Sequence, residues 1–128
     1  MVVLVVDVAN VMGSRPNGWW RDRAGAASTL LASLVPLVGT TMILDGDPVT
    51  VERIVAVVEG QARSAAAPPE LEVVLAPADG DTTIVLAAEQ ILAGSAVPLV
   101  ITADRGLRAR LPSGAQSTGP TWLLTHLP

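Results

Sequence analysis

The chain begins with five consecutive aliphatic residues, Val2 to Val6, and the run stops at an acid, Asp7. A half-exposed strand alternates apolar and polar positions. A run without a polar member needs cover on both faces, the pattern of a central strand in a parallel sheet. Such a strand restricts the chain to an α/β architecture with helices above and below the sheet. It also poses a chemical question, because an acid at the end of that strand is either a turn former or a group presented at the edge where α/β sheets bind ligands.

The rest of the chain supplies the alternating elements that a parallel sheet requires. After a polar loop at residues 13–18, Trp20 to Val35 carries Ala24, Ala27, Leu30, Leu31 and Leu34 at helical spacing, and Pro36 ends it. Met42 to Leu44 reads as a short edge strand, Asp45 to Pro48 as a turn and Ile54 to Val58 as a central strand. Leu71 to Ala76 is a further strand, and Thr82 to Leu92 is a helix behind the acidic turn of residues 78–81. Val97 to Asp104 is a strong strand, followed by a short helix with Leu107 and Leu111 on one side, and Thr121 to Thr125 supplies a last strand. The expected fold is one domain, residues 1–128, a three-layer α/β/α sandwich around a mainly parallel sheet.

Composition narrows the function classes. Half of the 128 residues are hydrophobic, which excludes a disordered chain, and the absence of cysteine removes disulfides and thiolate metal sites. Residues 24–44 carry no charge and approach the length of a membrane span. Pro36, Gly39, Thr40 and Thr41 interrupt them, so the segment reads as helix, loop and strand. No basic lead precedes the apolar start, and the expected location is cytoplasmic, without a membrane partner. The net charge of −4 argues against nonspecific adhesion to polyanions. All eight cations are nevertheless arginines, six of them in two clusters, Arg15/Arg21/Arg23 and Arg105/Arg108/Arg110, and guanidinium suits bidentate phosphate contacts.

Acids fall at or just past the ends of the expected strands: Asp7, Glu59, Asp79 or Asp81, and Asp104. Carboxylates gathered at one rim repel each other unless a cation compensates, and Mg²⁺ or Mn²⁺ prefers such oxygen donors. An ion there can activate water for phosphodiester hydrolysis. Each acid also has an ordinary role. Asp7 can cap a turn, with Asn10 following in a loop; Asp81 is placed to cap the helix starting at Thr82, and Asp104 to cap the next helix. Glu59 reads as a solvated strand-end residue, Asp45 and Asp47 as turn formers, and Asp22 as a helix-start acid or arginine partner. Of the adjacent Trp19 and Trp20, one packs and the other can offer a stacking face to a base. His126 has no catalytic role, and the chain has no nucleophile triad, phosphate-binding glycine loop or histidine cluster.

With Asp7-Val-Ala-Asn10, Gly80-Asp81-Thr82-Thr83 and Thr102-Ala103-Asp104-Arg105-Gly106-Leu107, the sequence resembles the PIN-like superfamily, in particular its NYN-type branch. The stretch from Asn10 to Ala27 resembles a small bacterial subgroup of that branch. The resemblance implies a metal-dependent ribonuclease fold in which Asp7, Asp81 and Asp104 are catalytic and hold Mg²⁺ or Mn²⁺. Asp79 would then serve as a further ligand. It implies that Asn10 partners Asp7, that Thr102 orients Asp104, and that RNA is the substrate. Contacts to RNA are expected from Asn10, Arg15, Trp20, Arg21, Thr102 and Arg105. Two departures stand out: Val8 follows the first Asp where the family pattern usually has Gly, and Thr82 follows Asp81 where many relatives have a second acid. The alternatives are a non-catalytic RNA- or protein-binding module of the same fold and a nucleotide hydrolase using the same metal. An edge strand or tryptophan face would also support a homodimer.

Overall fold

The computed structural model describes residues Met1–Pro128. Six strands and five helices follow one another as β1 (Val2–Asp7), α1 (Val8–Gly13), α2 (Arg23–Leu34), β2 (Thr41–Leu44), β3 (Asp47–Val58), β4 (Glu72–Leu75), α3 (Gly80–Ala93), β5 (Val97–Ile101), α4 (Arg105–Arg110), β6 (Gln116–Thr118) and α5 (Pro120–Leu124). The sheet order is β2-β3-β1-β5-β6, with β4 also pairing β3. Every pairing is parallel except that of β2 with β3.

The opening aliphatic run is the centre of this sheet. Val2, Leu4 and Val6 pack on one face with α1, α2 and Leu123 of α5, whereas Val3 and Val5 pack on the other with Ile84, Ala88 and Ile91 of α3 and Leu107 of α4. Alternate side chains of one strand thus enter two separate cores, which is why no polar residue is tolerated before Asp7. After β1 the chain builds β3 and β4 on one side, then crosses to place β5 and β6 on the other. The order therefore reverses between β1 and β5, and such a switch point opens a crevice beyond the carboxyl ends of the strands. Asp7 ends β1 at that crevice.

Four local expectations are corrected. The chain after Asp7 is helical at once rather than a loop: Val8, Val11 and Met12 of α1 are buried, so Val8, where the family pattern usually has Gly, packs in the core. The 42–58 region is a hairpin, with Asp45 and Gly46 both at positive φ, the two-residue turn that matches strand twist; β3 consequently starts at Asp47, well before Ile54. Residues 121–124 belong to helix α5, started by Pro120 at its first turn and followed by Thr125 as its C-cap, and the last strand is β6. A short 3₁₀ turn, Trp19–Arg21, precedes α2, which starts at Arg23 where Asp22 accepts the Gly25 N–H. No helix is long and apolar enough to cross a membrane.

Candidate functional site

Asp7 and Thr102 are the buried polar side chains of the molecule, and they bond to each other. The Thr102 hydroxyl donates to Asp7 Oδ2 at 2.9 Å across 95 residues of sequence, while the Asn10 N–H donates to Asp7 Oδ1 at 3.3 Å. Thr102 Oγ1 in turn accepts the Asp104 N–H at 3.1 Å, and Asp104 Oδ1 accepts the Leu107 N–H at 3.0 Å, capping α4. Asn10 Oδ1 accepts the Ala103 N–H at 2.9 Å, closing a second link between α1 and the segment after β5. Asp7, Asn10, Thr102 and Asp104 form one hydrogen-bonded circuit across the switch point.

The second half of the rim comes from β3 and α3. Asp79, not Asp81, caps α3: its Oδ1 accepts the Thr82 N–H at 3.0 Å, and the helix starts at Gly80. Asp81 lies in the first helical turn, and its carboxylate accepts no hydrogen bond from the chain. Glu59, read above as merely solvated, is half-buried, and its Oε2 accepts the Gly80 N–H at 2.6 Å. A Cβ on Gly80 would meet that carboxylate at 3.4 Å, an ordinary van der Waals contact.

The carboxylates feel one another. Burial pushes Asp7 up to about 6; the Thr102 hydroxyl and the Asn10 N–H oppose this, and the charges of Asp81 and Glu59 add to it. Asp81 is raised by burial and then by Asp104 and Asp79, with Arg110 opposing. Asp79 is lowered by the Thr82 backbone N–H it accepts. Asp7, Glu59, Asp81 and Asp104 thus share one electrostatic neighbourhood. The donors are all hard oxygens, the chemistry Mg²⁺ and Mn²⁺ prefer. No three acidic or histidine side chains are close enough to ligate one ion together. The set therefore fits an ion held through one or two carboxylates with water in the remaining positions, the usual habit of Mg²⁺.

The arginines divide differently from the sequence expectation. Arg105 is exposed at the start of α4, but Arg108 has a structural task, donating Nε and Nη2 to the Thr102 carbonyl at 3.0 and 2.6 Å. Arg110 donates to Thr82 Oγ1 at 3.2 Å. Arg15 lines a separate cavity of about 310 Å³ with Trp19, Asp22 and Leu127, and none of the rim acids lies in its wall. Trp20 is 51% exposed with Arg21 over its ring, whereas Trp19 is partly packed against the core. The sequence placed Glu59 among the strand-end acids but favoured a solvated role for it, and grouped Arg108 and Arg110 only as phosphate-binding candidates; their bonds to Gly80, Thr102 and Thr82 were not foreseen. Arg108 carried a readable signal, since it lies four residues after Asp104, one turn along the same helix face.

No protein-family model and no curated protein matches the sequence. Among solved structures, the fold is similar to the crystal structure of Rae1 (YacP) from Bacillus subtilis, W164L mutant. The TM-score is 0.72 at 18% identity, covering 98% of this chain and 74% of that one. At that identity the likeness is one of fold: a mainly parallel sheet flanked by helices, consistent with the PIN-like architecture that the sequence motifs suggest.

Proposed function

We propose that the chain is a metal-dependent endoribonuclease of NYN/PIN type, hydrolysing RNA phosphodiester bonds at the rim formed by Asp7, Asp81 and Asp104. The observation that carries this reading is the Asp7–Thr102–Asp104 circuit. Burying a carboxylate at the end of a central strand is costly, and an ordinary turn cap has no use for a hydroxyl brought from 95 residues away. When bound, Mg²⁺ or Mn²⁺ supplies the charge that neutralises the rim and acidifies a water for attack on phosphorus. The chain supplies the rest. Thr102 and the Asn10 N–H fix both oxygens of Asp7, the α4 cap fixes Asp104, and Asp81 keeps its carboxylate free for the ion. Arg105 is exposed beside them for phosphate.

The test is cleavage of single-stranded and structured RNA by purified protein in Mn²⁺, with Asp104→Asn as control. Product above that control is expected; equal product from both proteins would reject the reading.

A non-catalytic RNA- or protein-binding module of the same fold is the second reading. It is favoured by Thr82 standing where a second acid would complete the ligand set, and by the absence of three converged carboxylates. It expects RNA retention without metal-dependent turnover.

A further inference from the structure

Next to the acidic rim lies a cavity of about 330 Å³, within the size range of small-ligand pockets. Its wall includes Ala9, two residues past Asp7, and Ala78, the residue before Asp79, so it opens beside the carboxylates. Glu59 and Gly60 form another part of the wall, and Trp19 and Arg23 the side provided by the turn before α2. Gly60 has a φ of +57°, and a Cβ there would meet no atom within 4 Å, so the chain leaves this part open.

Two charged side chains line this cavity without meeting. The chain has one ion pair, Arg53 with Glu72, and it lies elsewhere. The exposed Arg23 guanidinium lies over the Trp19 ring, 5.4 Å from its centroid, and presents its donor fork at the wall. Of the Glu59 oxygens, Oε2 is held by the Gly80 N–H and Oε1 has no partner from the chain. The cavity is thus lined by an acceptor held by the Gly80 N–H and a guanidinium over the Trp19 ring that form no ion pair with each other. Outside it, the exposed Trp20 ring with Arg21 5.7 Å from its centroid continues the surface as an aromatic and cationic strip.

We infer that this cavity seats one unpaired RNA base that carries an amino group, next to the phosphate presented to the rim. The inference rests on the RNA reading above and adds base selectivity to it. Cytosine offers an N4 amino donor to Glu59 Oε1 and N3 and O2 acceptors to Arg23. Uracil offers the reverse at its N3 and C4 positions, and its O4 would face a carboxylate. A base paired in a duplex keeps this edge occupied, so the cavity reads single strands.

The experiment measures binding of labelled ten-nucleotide oligo(C), oligo(U) and a duplex by fluorescence anisotropy. It uses Ca²⁺ buffer, with the RNA checked to be intact afterwards. The wild-type chain is expected to hold oligo(C) about tenfold more tightly than oligo(U), and both more tightly than the duplex. In Glu59→Gln, the amide oxygen can keep the Gly80 N–H bond while the amide nitrogen replaces Oε1. That variant is expected to lose or reverse the preference with its melting temperature little changed. Equal binding of C and U by the wild type, a preserved ratio in Glu59→Gln, or duplex binding as tight as single strand would each overturn the inference while leaving the RNA reading in place. Failure of the wild type to bind any RNA would overturn both.

Discussion

The two halves of the acidic rim are built differently. On the β1/β5 side, Asp7 takes a hydroxyl from 95 residues away, and the same Thr102 oxygen accepts the Asp104 N–H, so the two acids are tied through one buried side chain. On the β3/α3 side, Asp79 is explained by helix capping, Glu59 by its bond to Gly80, and only Asp81 is left without a partner. Asp104 caps α4 as Asp79 caps α3, but the buried Asp7 carboxylate costs stability beyond what its bond to the Asn10 N–H at the start of α1 requires. A carboxylate whose position is not needed by its neighbours is the better guide to chemistry.

The largest expected effect lies on the first half. Asp7→Asn and Asp104→Asn should each lower Mn²⁺-dependent RNA cleavage by on the order of 10²-fold or more, because each removes a charge from the ion's surroundings. Asp79→Asn keeps a good helix cap and should change the rate by less than about threefold. Rates from a single RNA under excess enzyme make the comparison. Equal losses in all three variants would erase the distinction between the halves.

A pH series sharpens it further. Because burial raises Asp7 to about 6 in the metal-free chain, the ion must displace its proton below that value, and Mn²⁺ affinity should weaken as pH falls below about 6 and level off above it. Stability has the opposite sign. The folded chain holds the Asp7 proton up to about pH 6, the unfolded chain only to 3.8, so this group's contribution is full below 3.8 and lost as pH rises through 6. The difference is on the order of 3 kcal/mol at most. Melting curves without metal should show wild type losing more stability than Asp7→Asn between pH 4 and 7, and parallel curves would contradict the burial argument.

Thr102→Val comes next. It leaves Asp7 Oδ2 and the Asp104 N–H without their shared hydroxyl, a loss of about 1–3 kcal/mol in stability and of roughly 10- to 100-fold in Mn²⁺ affinity. Thr82→Val, on the other half, removes exposed contacts to Arg110 and to the Asp79 carboxylate and should do neither. Calorimetric titration with Mn²⁺ and thermal melting of both variants separate the cases.

The same contrast explains what could be read from sequence. The Val2–Val6 run and the periodic helices report burial directly, so the sheet and its layers were visible. Asp7, Asp104 and Thr102 stood out because they fall at strand ends within a motif. Glu59 also falls at a strand end, but its role was not legible, because it depends on Gly80 approaching β3, a contact across 21 residues that no periodicity encodes. The α3 start was misplaced by two residues because Asp79 and Asp81 are both capable caps, and only the path of the chain out of β4 decides between them. Residues 121–125 read as a strand because five residues cannot distinguish the two periods; Pro120 was the overlooked sign.

The smallest predicted effect tests whether the β3/α3 half belongs to the metal surroundings at all. Thr82→Asp places a second acid beside Asp81, in the first turn of a 14-residue helix, where negative charge is favourable by about 0.3–1 kcal/mol. Added repulsion from Asp81 and Asp79 offsets that gain, so the metal-free melting temperature should barely move. If an ion lies near Asp81, Mn²⁺ should bind several-fold more tightly to Thr82→Asp than to wild type and raise its melting temperature further, because binding to the folded state alone stabilises it. An unchanged Mn²⁺ affinity would confine the ion to the Asp7–Asp104 half, and Asp81 would then face the ion only through water or substrate.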